Sequence, residues 1–194
     1  MSRFALILAA AAFTACGSTP PPPDWAVNAQ GALERSVVAY LGGNTRVATL
    51  ELDRARAEVA RTGAPARLAR LELVRCAAEV ASLEFNACPA YQALATDAAV
   101  PEQAYARYLL AQSASSDAGQ LPEVHRALVG AAPADAPARL NAIADPLSRL
   151  VAAGVLLRAE RATPAVFMLA IDTASAQGWQ RPLLAWLQLA QQRA

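Results

Sequence analysis

The chain contains no lysine: all 17 of its basic residues are arginine, set against 16 acidic residues and a single histidine. A Ser-Lys catalytic dyad is therefore excluded by inventory, and the bias looks like that of a GC-rich genome. No G-x-S-x-G nucleophile elbow occurs, so a Ser-His-Asp triad would have to be built on His125 alone. His125 sits in Leu121-Pro122-Glu123-Val124-His125-Arg126 and is read as a structural or solvated residue on an exposed helix face. Cysteine is almost as scarce, three in 194 residues, with no C-x-x-C pair. Two distant cysteines and one histidine cannot fill a zinc shell. Gly42-Gly43 lacks the spacing of either phosphate-binding loop. Beyond the first 15 residues no apolar run reaches the roughly 18 residues that a membrane-spanning helix requires. With Arg3 set aside, arginines and carboxylates balance, which argues against a nucleic-acid binder and against electrostatic adhesion to a membrane. The expectation is a non-enzymatic protein, with no catalytic, cofactor-binding or metal-ligating residues to assign.

What is abundant is alanine, leucine and arginine, all strong helix formers. Trp25 to Leu41 carries apolar residues at Ala29, Leu33, Val37 and Tyr40 and stops at Gly42-Gly43-Asn44. A second helix is predicted from Thr45 to Arg61 with Ala48, Leu52, Ala55 and Val59 as its buried seam. Glu51, Arg54, Glu58 and Arg61 form a charged flank. After Thr62-Gly63-Ala64-Pro65 a third helix buries Ala69, Leu73, Cys76, Val80 and Leu83 and turns Glu72, Arg75 and Glu79 to its wet side. Prolines recur where helices begin, at Pro65, Pro89, Pro101, Pro122, Pro137, Pro146, Pro164 and Pro182. Asp145 and Thr163 stand as N-caps before two of them. Ser113 to Gly119 and Gly130 to Ala138 read as loops. No period-two alternation is long enough for a strand. The fold class is all-α, as consecutive antiparallel helical hairpins in an array or an irregular bundle.

Residues 1–15 have the form of an export signal: Arg3, then the apolar run Phe4 to Phe13, then Thr14-Ala15. Phe13-Thr14-Ala15-Cys16 resembles the lipobox of bacterial lipoproteins, with Phe13 where Leu is usual. That resemblance implies cleavage before Cys16, a diacylglyceryl thioether on its sulfur and an acylated amine carrying palmitate-type chains. Several chains on one residue give stable anchoring. Neither Gly17 nor Ser18 is the aspartate that such lipoproteins use for inner-membrane retention, which implies the periplasmic face of the outer membrane. Residues 16–24, with four prolines, form an extended tether, and 25–194 form the helical domain. Ala48, Leu52 and Ala55 are similar to the second-helix Ala, Phe and Ala of the tetratricopeptide motif, with Leu52 for Phe, over one hairpin. The Glu-Ser pair and Gly-Leu-Met-Gln motif of lytic transglycosylases are absent.

In an exported chain, Cys76 and Cys88 are a candidate disulfide. Cys76 lies about 12 Å from the end of the third helix at 1.5 Å per residue, and four extended residues return roughly that distance. Two buried free thiols are the alternative. Trp25, Trp179, Trp186, Tyr40, Tyr91, Tyr105 and Tyr108 are core anchors or line a concave partner groove. The functional expectation is an adaptor for other envelope proteins, anchored in the membrane through the lipid on Cys16. The alternative is a carrier of a lipid or small apolar ligand, for which Val166-Phe167-Met168-Leu169-Ala170-Ile171 offers either a pocket wall or a buried central helix.

Overall fold

The computed structural model describes residues 21–193. The export signal, Cys16 and most of the tether lie outside the described residues. Ten α-helices fold in order: α1 (Asp24–Leu41), α2 (Thr45–Ala60), α3 (Pro65–Ala81), α4 (Pro89–Gln92), α5 (Val100–Leu109), α6 (Glu123–Arg126), α7 (Ala136–Asn141), α8 (Pro146–Arg158), α9 (Pro164–Ala176) and α10 (Gln180–Arg193). Short 3-10 helices occupy Ala95–Asp97 and Ser115–Gln120. There is no strand among the described residues, and the fold is all-α.

Local chemistry sets the boundaries. Gly43 has φ 88°, a left-handed turn that a side chain would resist. The next residue, Asn44, caps α2 by accepting a hydrogen bond from the Val47 amide at 3.2 Å. Prolines stand in the first turns of α3, α4, α5, α7, α8 and α9. Asp145 caps α8 by accepting from the Ser148 amide at 2.7 Å. Thr163 takes the N-cap position of α9, but its hydroxyl makes no capping bond and is buried without a partner.

α1 and α2 form an antiparallel hairpin, and α3 packs along it. One bridge is used twice here. Arg35 of α1 reaches Glu51 of α2 at 2.9 Å, and Arg56 of α2 holds Glu72 of α3 at 2.6 and 2.8 Å. In both cases donor and acceptor are 16 residues apart. Glu51 and Glu72, expected on solvated flanks, are therefore buried. Each adjoins a seam that the neighbouring helix covers, and the arginine satisfies the carboxylate that this covering removes from water.

The centre of the molecule is α8, not the apolar run in α9. Every residue from Leu150 to Leu157 is buried, which is why its apolar pattern shows no single face. α3, α5, α6, α7 and α9 all pack on it. Gly154 lets α8 approach α3 closely at Val80. α9 buries Val166, Phe167 and Ala170 but leaves Met168 57% exposed, so it is an amphipathic outer helix. α10 closes the structure: Trp186 is fully buried, meets Phe167 edge-on, and donates from Nε1 to the Ala81 carbonyl at 3.1 Å. Arg181 donates to the Tyr40 carbonyl at 2.8 Å and to Thr45 Oγ1 at 2.7 Å, tying α10 to the first hairpin. Contacts between elements so distant in sequence are those of an irregular bundle, with a hairpin at each end.

The stretch from Ser113 to Gly119, expected as a loop, is largely the Ser115–Gln120 3-10 turn. Asp117 organises it. Its carboxylate accepts from Arg107 Nε and from the Ala114 amide, each at 3.0 Å. The Arg107 bond, then the backbone bond, hold its pKa below the usual carboxylate range.

Candidate functional site

Cys76 and Cys88 are brought together at disulfide distance, with Cα atoms 5.5 Å apart, and both are buried. The return from α3 uses two left-handed residues, Leu83 at φ 61° and Cys88 at φ 51°. Asn86 steadies it by accepting from the Cys88 amide at 2.7 Å. Cys16 lies outside the described residues.

The feature that the sequence did not announce is a groove along α3. Arg67, Arg70 and Val74, at i, i+3 and i+7, share one face of that helix, beside the buried seam of Ala69 and Leu73. The N-terminal half of α1 walls one side. α5 and the segment leading into α6 wall the other. Three clefts run into one another over this face. The first, about 530 Å3, lies at the α1 entry and is lined by Asp24, Trp25, Glu58, Arg61 and Arg67. The second, about 340 Å3, shares Trp25 and Arg67 with it and has a floor of Ala29, Leu33, Val59 and Leu71. The third, about 470 Å3, shares Arg70 and Val74 with the second and ends among Tyr105, Leu121, His125 and Ser148. From residue 67 to 74 the helix rises about 10 Å, the length of three residues of extended chain.

The charges along the groove are unevenly matched. Arg61 is paired with Glu58 at 3.0 Å. Arg67 lies over the Trp25 ring, 4.7 Å from its centroid, and has no carboxylate partner among the described residues. Arg70 approaches Glu102 at 3.7 Å, with 80% of its side chain exposed.

His125 closes the far end, and it is not exposed. Only 2% of its surface reaches solvent. α6 is a single turn, and its packing on α8 and on the 3-10 turn buries the imidazole against Tyr105 and Tyr108. Nδ1 stands 3.2 Å from the Tyr108 hydroxyl. Burial pushes its pKa down to about 4, partly opposed by Asp145. Burial likewise raises the phenols of Tyr105 and Tyr108. At neutral pH this is an uncharged hydrogen-bonding pair. An imidazole that protonates only near pH 4 is a weak base, far from the value suited to proton transfer at pH 7.

Among the expected aromatic anchors, Trp25 and Tyr105 line the groove, while Tyr40, Tyr91, Tyr108 and Trp186 belong to the core. Among the described residues no group of three His, Cys, Asp or Glu side chains is placed to hold a metal ion, and no helix is long and apolar enough to cross a membrane. No family model matches the chain, and neither a curated protein nor a solved structure matches it.

Proposed function

We propose that this chain is a non-enzymatic lipoprotein of the bacterial envelope, anchored through Cys16 at the periplasmic face of the outer membrane. It acts as an adaptor that holds a segment of another envelope protein in the α3 groove. The observation that carries this reading is the groove itself: continuous, open, polar at its α1 entry, apolar along the floor of its other two clefts, and edged by Trp25, Tyr105 and arginines. Aromatic and arginine side chains dominate binding energy at protein interfaces. Confinement at the membrane adds effective concentration toward partners already there. A lipid carrier wants an enclosed apolar cavity. The run Val166 to Ile171 lines none of these three clefts and packs instead as an outer helix.

The test is photo-crosslinking in living cells with the full chain carrying the crosslinker at Val74, and at Leu184 as a position outside the groove. Capture of a defined envelope protein from Val74 but not Leu184, weakened when Cys16→Ser releases the chain from the membrane fraction, is the expected result. Equal capture from both positions, or membrane association that survives Cys16→Ser, would overturn it.

A further inference from the structure

Resting on the adaptor reading, we infer that the groove takes an extended peptide segment carrying one carboxylate between apolar side chains, with Arg67 and Arg70 as the residues that recognise the acid. The middle cleft carries both arginines on its α3 wall beside an apolar floor: Arg67 is shared with the first cleft and Arg70 with the third. These are the two groove arginines without a close ion pair. Arg61, the third, is already held by Glu58. Arg67 is positioned by its stack on Trp25, which orients the guanidinium while leaving its N–H donors unused by any side chain among the described residues. Arg70 has one carboxylate near it, too far for a hydrogen bond.

Two guanidiniums one helical turn apart, with donors to spare, are complementary to a carboxylate. The acid belongs centrally, because Asp24 at the entry repels a second carboxylate there and Glu58 already has its cation. On both sides of the arginines the walls are apolar: Ala29, Leu33 and Val59 toward α1, and Leu121, Pro122 and Tyr105 toward α6. Gln30 along one edge, and Gln120 and Ser148 along the other, offer side-chain groups for the main chain of a bound segment. An acyl chain would use the floor but leave these polar edges unmatched.

Peptide selection from a random displayed library on the full chain in detergent tests this, run in parallel on the double variant Arg67→Glu/Arg70→Glu. Both side chains are exposed, and an unchanged melting curve shows that the variant folds. Peptides from the unaltered chain should carry Asp or Glu flanked by apolar residues and bind the double variant at least about tenfold more weakly, the loss expected for a charge-assisted pair. The double variant should select Lys or Arg at that place. Enrichment of the same motif by both proteins, or of apolar peptides without charge preference, would overturn the assignment. So would binding of a fluorescent fatty acid, lost in the double variant, with no peptide enriched. If no peptide is enriched while Val74 still crosslinks its partner in cells, the adaptor stands and the peptide inference falls. If both fail, the adaptor falls with it.

Discussion

Gly154 of α8 faces the Val80 carbonyl of α3 with no room for a side chain between them. A Cβ at position 154 would overlap that oxygen and stand 2.9 Å from Val80 Cγ1. Glycine inside a helix is intrinsically unfavourable by about 1 kcal/mol relative to alanine, so close approach is what it supplies here. Gly154→Ala should lower stability by about 2 kcal/mol in spite of its better helix propensity, because backbone rather than a movable side chain is in the way. Urea unfolding should show a lower midpoint at unchanged slope. An unchanged midpoint would mean that α3 and α8 separate freely.

Stability should also depend on pH through His125. The folded chain holds this imidazole neutral to about pH 4, whereas the unfolded chain protonates it near its ordinary value of 6.5. Between those values the unfolded state binds more protons, so stability falls as pH drops from about 6.5 to about 4, by roughly 3 kcal/mol from this group. Above that window His125 contributes no slope. His125→Phe should flatten the profile there relative to the unaltered chain. Other groups are common to both proteins, so the difference between the two curves is the quantity to read. Parallel curves would refute the buried neutral imidazole.

The bridge between Cys76 and Cys88 spans 12 residues. Loop-closure entropy for that length gives about 3 kcal/mol. Cys76→Ser/Cys88→Ser should lower the urea midpoint accordingly and make the 82–88 return, with its two left-handed residues, the first site of proteolysis. Non-reducing digestion and mass spectrometry of the unaltered chain should recover the two cysteine peptides as one species. Alkylation of both thiols without reduction would contradict it.

Arg56 and Glu72 offer a test of a covered ion pair. Glu72 is the buried partner, while 37% of the Arg56 side chain is exposed. Arg56→Met alone strands a carboxylate in the α2–α3 contact and should destabilise by about 2 kcal/mol, the range for a buried pair discounted for the exposed arginine. Arg56→Met/Glu72→Leu should recover most of that loss, a coupling that a double-mutant cycle reads directly. Additive losses would show that the pair acts through packing alone.

These four sites divide by what a linear sequence can carry. Helix starts were legible because proline at 65, 89, 101, 146 and 164 and the cap Asp145 act on their nearest neighbours. The seam Ala48, Leu52, Ala55 and Val59 was legible because its period needs only one helix. The approach of Cys76 to Cys88 was legible as a candidate, because an exported chain favours a disulfide and the intervening residues can return along α3. His125 was not legible, because a one-turn helix has no period and its burial depends on α8 and on the turn around Asp117. Glu51 and Glu72 looked solvated for a related reason. Periodicity marks the main buried stripe of a helix but not the flank that a second neighbour covers. The groove was hidden in the same way: Arg67, Arg70 and Val74 share a spacing, yet only the placement of α1 and α5 on either side makes that face concave.

Arg181 and Trp186 have a consequence for how the molecule is made. An exported chain emerges from its first helix onward, and α1, α2 and α3 are out about a hundred residues before α10 begins. Until then Tyr40 has the Arg75 guanidinium of α3 over its ring at 4.1 Å but lacks that of Arg181 at 4.3 Å, and the Ala81 carbonyl lacks its indole donor. The early helices must wait with these surfaces uncovered. A chain truncated before residue 181 should therefore be loosely packed and protease-sensitive, and the three and a half turns of α10 from Arg181 onward would convert it to the finished fold.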